Sequence, residues 1–154
     1  MRRFPGPATA HASRPRSRVL AALVLAVLVA LPSSVEATTT AEKAVHAMIN
    51  DTRAAEGRRA LRLSERLSRI AHRHSKKMAV SGTLFHSCLS CSISGDWRKL
   101  GENVGYGPDR ITVHNEFLAS PPHRENLLYP KYRRVGVGIV RRGGLVWVTQ
   151  IFYA

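Results

Sequence analysis

The sequence predicts a single α+β domain in which helices cover a sheet. Two stretches with apolar residues at helical spacing come first, and an apolar hairpin comes last. The chain has 154 residues and only 2 Cys, so an apolar core must hold these elements together. At 44% hydrophobic and 22% charged the composition is that of an ordinary soluble domain. Collagen-like, coiled-coil and wholly disordered chains are thereby excluded.

The N-terminal region reads as a leader. Residues 1–18 hold five Arg and no acid, and Val19 to Leu31 are all Val, Leu or Ala. Such a run is too short for a bilayer core of ~30 Å, which takes ~20 residues. It has the length of a secretory h-region. Pro32-Ser33-Ser34 breaks the helix, and Val35 and Ala37 place small residues at −3 and −1. Residues 1–37 are therefore read as a cleavable signal peptide and 38–154 as the exported, extracellular domain. An uncleaved anchor is the competing reading.

Within 38–154 the elements follow in order. Thr39-Thr40-Ala41-Glu42 has the form of a capping box. Ala44, Val45, Met48, Ile49 and Thr52 continue it at helical spacing to Gly57. A second helix starts near Ser64, carries Leu67, Ile70, Ala71, His74 and Met78 on one stripe, and ends at Gly82. Residues 82–109 are rich in Gly, Pro and Asp and read as a long loop of the kind that often carries function. A short helix from Thr112 to Ala119 is closed by Ser120-Pro121-Pro122. After a polar stretch to Arg134, Val135–Val140 and Leu145–Tyr153 read as strands joined by a turn at Arg142-Gly143-Gly144.

Charge points to anionic partners without naming one. The whole chain has 24 Lys+Arg against 10 Asp+Glu, and residues 38–154 keep 19 against 9, a net +10. Such a field attracts cell-wall phosphates, acidic lipid surfaces or nucleic acid. No RNP sequence, zinc-finger spacing or helix-turn-helix is present, so no specific nucleic-acid partner is expected. Arg66, Arg69, Arg73, Lys76 and Lys77 share the polar face of the second helix with Glu65. They form either a solvated face or an anion-facing surface. Arg supplies 19 of the 24 basic residues, a bias that a GC-rich genome produces with no function attached.

Four polar segments can carry chemistry: Phe85-His86, Gly101-Glu102-Asn103-Val104, Ser120 to Asn126, and Trp147 to Gln150. Two imidazoles and a carboxylate suit a divalent metal, with a position left for water. Taken singly each segment is weak. A lone loop His is more often structural, and Glu102 beside Gly101 can simply tie backbone amides. His74 lies on an apolar stripe and reads as a packed, hydrogen-bonded core residue. Asn50 and Arg53 read as caps or interhelix ties. Cys88-Leu89-Ser90-Cys91 in an exported chain favours a local disulfide. A redox motif, zinc ligation with His86, and two free thiols are the other readings.

In order and spacing, these segments resemble the CAP superfamily. That superfamily comprises cysteine-rich secretory, antigen 5 and pathogenesis-related 1 proteins and is also called SCP-like extracellular; the short bacterial members are the nearest in type. The matching residues run from Ile49-Asn50-Asp51-Thr52-Arg53, Gly57 and Leu61 through Leu67, Ala71, His74-Ser75, Met78 and Phe85-His86. They continue through Gly101 to Gly105, Ser120 to Leu128, Val135 to Gly138 and Trp147 to Phe152. The resemblance covers Ala41 to Phe152. It implies a three-layer α-β-α sandwich with a cleft lined by two His and two acids. His86, Glu102 and His123 take three of these places. Phe117 stands where relatives often carry Trp, which puts Ser120 at the fourth, acidic place, with Glu116 as its helical neighbour.

The resemblance further implies an extracellular protein without an agreed catalytic activity. Its family is associated with lipid or sterol binding, with cell-wall and host interactions, and with metal binding by the His pair. The leading expectation is a secreted, monomeric, non-enzymatic binding module for a lipid or cell-envelope component. His86, His123 and Glu102 are the expected ligands of a divalent metal, zinc foremost. The alternative is a metal-dependent, protease-like hydrolase with Glu102 as general base. Against it, the sequence shows no Ser or Cys nucleophile paired with a base. A third reading is an anion-binding surface acting by charge alone.

Overall fold

The computed structural model describes residues 39–154, so the leader and its cleavage site lie outside the described residues. The elements are α1 (Thr40–Ala55), β1 (Arg62–Leu63), α2 (Glu65–Ser81), α3 (Leu89–Ser92), β2 (Leu100–Gly107), α4 (Arg110–Ala119), α5 (Pro121–Leu128), β3 (Arg134–Arg142) and β4 (Leu145–Tyr153). The caps explain the first two helices. Thr39 and Glu42 form the reciprocal capping box of α1. Ser64 accepts from the Leu67 amide at the start of α2, and Gly82 ends it at φ 67. Only glycine takes that left-handed conformation without strain.

One four-stranded sheet runs in the order β1-β3-β4-β2, with β1 parallel to β3 and the other pairs antiparallel. Strand side chains alternate between faces, so each strand serves two layers. Val135, Val137, Val148 and Phe152 face a core with Val45 and Ile49 of α1, Val113 and Phe117 of α4, and Leu127 of α5. On the other face, Ile151 meets Leu67, Ile70 and Ala71 of α2, and Val104 and Trp147 meet Met78 and Ala79. The result is the three-layer α-β-α arrangement. Each fully buried Val, Ile or Phe contributes about 1.5–3 kcal/mol. The α2 layer sits very close to the sheet because β3 has no side chain there. A Cβ at Gly138 would collide with the backbone of Ala71 and His72.

Two segments differ from the sequence expectation. The 82–109 region is not one loop: it holds the short helix α3 and the eight-residue strand β2. Glycines hid the strand, and packing explains them. A Cβ at Gly105 would lie 2.8 Å from Cε1 of Phe117, so α4 fills the space a side chain would take. The polar stretch after Ser120 is likewise helical, as α5, with Pro121 and Pro122 in its first turn. Proline is tolerated there because those amides have no intrahelical partner. Among the described residues, no helix is long and apolar enough to cross a membrane.

Candidate functional site

β2 is an edge strand, bonded only to β4. Its even-numbered residues share the α2 face and its odd-numbered residues face α4 and α5. Glu102 therefore turns toward the segment that follows α2, which carries His86. Its carboxylate is buried and accepts three hydrogen bonds. Oε1 accepts from His86 Nδ1 at 2.8 Å and from the Ser87 amide at 2.8 Å, and Oε2 accepts from Ser87 Oγ at 2.5 Å. A carboxylate on Nδ1 sets the ring orientation and leaves Nε2 available. The His86 side chain is 63% exposed while that of Glu102 is only 4% exposed. The imidazole is thus presented to solvent from a buried anchor.

His123 comes from the opposite layer, in the first turn of α5. Its Nδ1 lies 2.8 Å from Ser120 Oγ, and its ring packs on Phe117 at a centroid distance of 5.0 Å. Burial first, and then the charge of His86, hold its pKa below the usual histidine range. The two imidazoles therefore feel each other across the free edge of β2. Ser120 stands beside His123, whereas Glu116 is exposed on α4, next in sequence to the buried Phe117. One residue of α-helix is about 100° of rotation, which turns Glu116 away when Phe117 faces inward. The Ser120–His123 contact also corrects the expectation that no hydroxyl is paired with a base.

A polar layer beneath β2 fixes both histidines. Asn103 Nδ2 donates to the His123 carbonyl at 3.1 Å and to Gln150 Oε1 at 3.2 Å. Asn126 Nδ2 donates to the Glu102 carbonyl at 3.2 Å and to Asn103 Oδ1 at 3.0 Å. His74 is buried and its Nε2 bonds to the Phe85 carbonyl at 2.7 Å, which ties α2 to the residue before His86. The reading of His74 as a packed core residue agrees with this. Asn50 is likewise a tie, exchanging hydrogen bonds with both backbone groups of Leu61. The sequence reading missed Ser87. Only its place beside His86 could have signalled it, because its partner Glu102 is 15 residues away.

The donor set suits a metal held by imidazoles. Among the described residues, no hydrogen bond reaches Nε2 of His86 or His123, while both oxygens of Glu102 are engaged by His86 and Ser87. No group of three or more His, Cys, Asp and Glu converges as a metal cage among the described residues. Glu102 thus acts in this arrangement as the orienting carboxylate. Just beyond Ser87, Cys88 and Cys91 form a disulfide across α3, and Ile93 anchors the segment in the α2-side core.

The profile of the cysteine-rich secretory protein (CAP) family matches residues 46–152. The chain belongs to the CAP family. Among curated relatives, uncharacterized protein YkwD of Bacillus subtilis is 31% identical over 132 residues, covering 77% of this chain and 48% of YkwD. The chain thus spans about half the length of that relative. An SCP-domain extracellular protein from Bacillus anthracis superposes with a TM-score of 0.65 at 23% identity, covering 73% of this chain and 39% of its own. An outer surface protein of Borrelia burgdorferi reaches 0.68 at 18% identity, covering 76% of this chain and 94% of its own. These structures share the CAP fold and come from proteins described as extracellular or outer-surface.

Proposed function

We propose that this CAP protein is an exported, non-enzymatic binding module of the cell exterior whose cleft holds a divalent cation between His86 and His123. One observation carries the reading: each imidazole is held through Nδ1, by Glu102 or by Ser120, and among the described residues no hydrogen bond engages Nε2 of either. Neutral imidazole is the ligand form, and the burial that keeps His123 neutral serves it. His86 and His123 would hold zinc as nitrogen donors, and the ion would supply Lewis acidity there. An apolar component of the ligand, from a lipid or the cell envelope, is supported by the exposed Leu84, Phe85 and Tyr106. Leu84 and Phe85 lead into His86, and Tyr106 shares the face of β2 with Glu102. In the hydrolase alternative Glu102 would be the general base; its buried carboxylate instead accepts three hydrogen bonds from His86 and Ser87, which suits an anchoring role.

Titration calorimetry with zinc chloride at neutral pH tests this. Saturable binding is expected in the wild type, lost in His123→Ala and in His86→Ala, and weakened as pH falls below about 6.5. Zinc binding unchanged in His123→Ala refutes the site.

A further inference from the structure

A basic cavity lies just before the start of β2, a few residues from Glu102 in sequence and lined by none of His86, Glu102 or His123. The starts of β2 and β3 clamp the end of β4 between them. The Arg98 amide donates to the Ala154 carbonyl at 2.7 Å, the Ala154 amide to the Lys99 carbonyl at 3.0 Å, and the Arg133 amide to the Tyr153 carbonyl at 2.9 Å. This register brings Arg98 and Lys99 from one side and Lys131 and Arg133 from the other to the wall of one cavity of about 520 Å³. Tyr129, Ala154 and one acidic side chain, Asp96, also line it, so four basic side chains face one acidic one. The volume is that of an ordinary small-ligand site.

The cations here are largely uncompensated. Lys99 Nζ lies over the Tyr129 ring at 4.1 Å and 3.7 Å from Oε1 of the exposed Glu125. Among the described residues no carboxylate comes within ion-pair distance of Arg98, Lys131 or Arg133. Arg133 is nevertheless held in place. Its Nη1 lies 3.3 Å from the carbonyls of Pro130, Lys131 and Tyr132, which leaves the remaining guanidinium donors for a ligand. The positive field reaches into the core. The buried Arg53 guanidinium is held below its ordinary pKa by burial, then by Arg58 and Arg133. Gathering like charges around a concavity opposes folding.

We infer that this cavity binds a phosphate-bearing anion, with Arg98, Lys131 and Arg133 on the phosphate oxygens and Tyr129 against the uncharged remainder. Guanidinium forks match phosphate oxygens in pairs, and ammonium adds a point charge. Arg98, Lys131 and Arg133, none of them ion-paired among the described residues, outnumber Asp96 in the same wall, and that excess suits linked phosphates better than a single carboxylate. The site is separate from the His86–His123 cleft and does not rest on the reading given for it.

The probe is pyrophosphate, titrated calorimetrically at low salt. The wild type is expected to bind it saturably. Arg98→Gln/Lys131→Gln/Arg133→Gln weakens that binding by about tenfold, as the loss of three partly exposed charge pairs implies. Arg69→Gln/Arg73→Gln/Lys77→Gln removes the same charge from α2 and changes it less than about twofold, and His123→Ala leaves it unchanged. Arg98→Gln/Lys131→Gln keeps the Arg133 clasp, so a loss in that double variant does not depend on an intact turn in the triple. Flotation with phosphatidic acid vesicles separates the sources. Pyrophosphate binding without vesicle binding assigns the site to soluble or polymeric phosphate. Vesicle binding lost in the same variants assigns it to a headgroup. Equal loss in the two triple variants, or no saturable pyrophosphate binding, overturns the inference.

Discussion

Replacing Arg53 tests how α5, and with it His123, is held. Arg53 lies in α1 and is fully buried. Its Nε donates to the Arg59 carbonyl at 2.8 Å, and Nη1 donates to the carbonyls of Leu127 at 2.6 Å and Tyr129 at 3.2 Å. Leu127 and Tyr129 are at the end of α5, where helix carbonyls lack intrahelical partners. Arg53 therefore caps α5 from another helix. Arg53→Met keeps most of the volume and removes every donor. Hydrogen bonds to charged groups contribute about 1.5–3 kcal/mol each, so losing the two short ones costs about 3–6 kcal/mol. Relief from burying a guanidinium that has no carboxylate partner offsets part of that. The net expectation is a loss of about 2–4 kcal/mol. At roughly 4 °C per kcal/mol for a domain of this size, the melting temperature falls by about 8–16 °C. Urea and thermal unfolding followed by far-UV circular dichroism measure it. Arg53→Lys, with one shorter donor group, should fall between the two. A change under about 1 kcal/mol in Arg53→Met would show that α5 ends without this cap and would refute the reasoning.

Two further tests address the layers around the cleft. His114 of α4 is buried, its Nε2 bonds to Thr52 Oγ1 of α1 at 3.0 Å, and burial holds its pKa below 6.5. The unfolded chain then takes up the proton first, so stability is fully present above about pH 6.5 and declines as pH falls through the folded-state value. His114→Gln should flatten part of that decline between about pH 7.5 and 5 in urea titrations, and parallel curves for the two proteins would exclude His114 as its source. The Cys88–Cys91 disulfide closes a very short loop, so its reduction should cost about 2 kcal/mol at most. A much larger drop in melting temperature under reductant would mean that α3 supports more of the fold than its exposure suggests.

Much of the fold was legible because its determinants are local. Thr39 and Glu42, or Ser64 and Gly82, bracket a helix by hydrogen bonds within one turn. The stripe of Leu67, Ile70, Ala71, His74 and Met78 declares a buried face whatever it packs against. The alternation from Val135 to Tyr153 marks the hairpin in the same way. His86, Glu102, Ser120 and His123 were legible as members of an ordered set of segments, while the partners of their hydrogen bonds were not.

Tertiary structure decided the rest, and the reason is the same in each case: the partner is distant in sequence. The glycines of β2 looked like loop residues until Phe117, Val113 and Tyr132 were seen to occupy the space of their missing side chains. Pro121 and Pro122 looked like a stop because a proline pair ends one helix and begins the next in the same letters. The sequence left Glu102 open as a tie to backbone amides or as a metal ligand, and the bonds it accepts come from His86 and Ser87, 16 and 15 residues away. The basic cavity gathers Asp96, Arg98, Lys99, Tyr129, Lys131, Arg133 and Ala154 through the register of the strands they flank. Periodicity and capping act over a few residues and can be read directly; the charge and hydrogen bonding of a site depend on which strand edges meet, and that is settled only when the core closes.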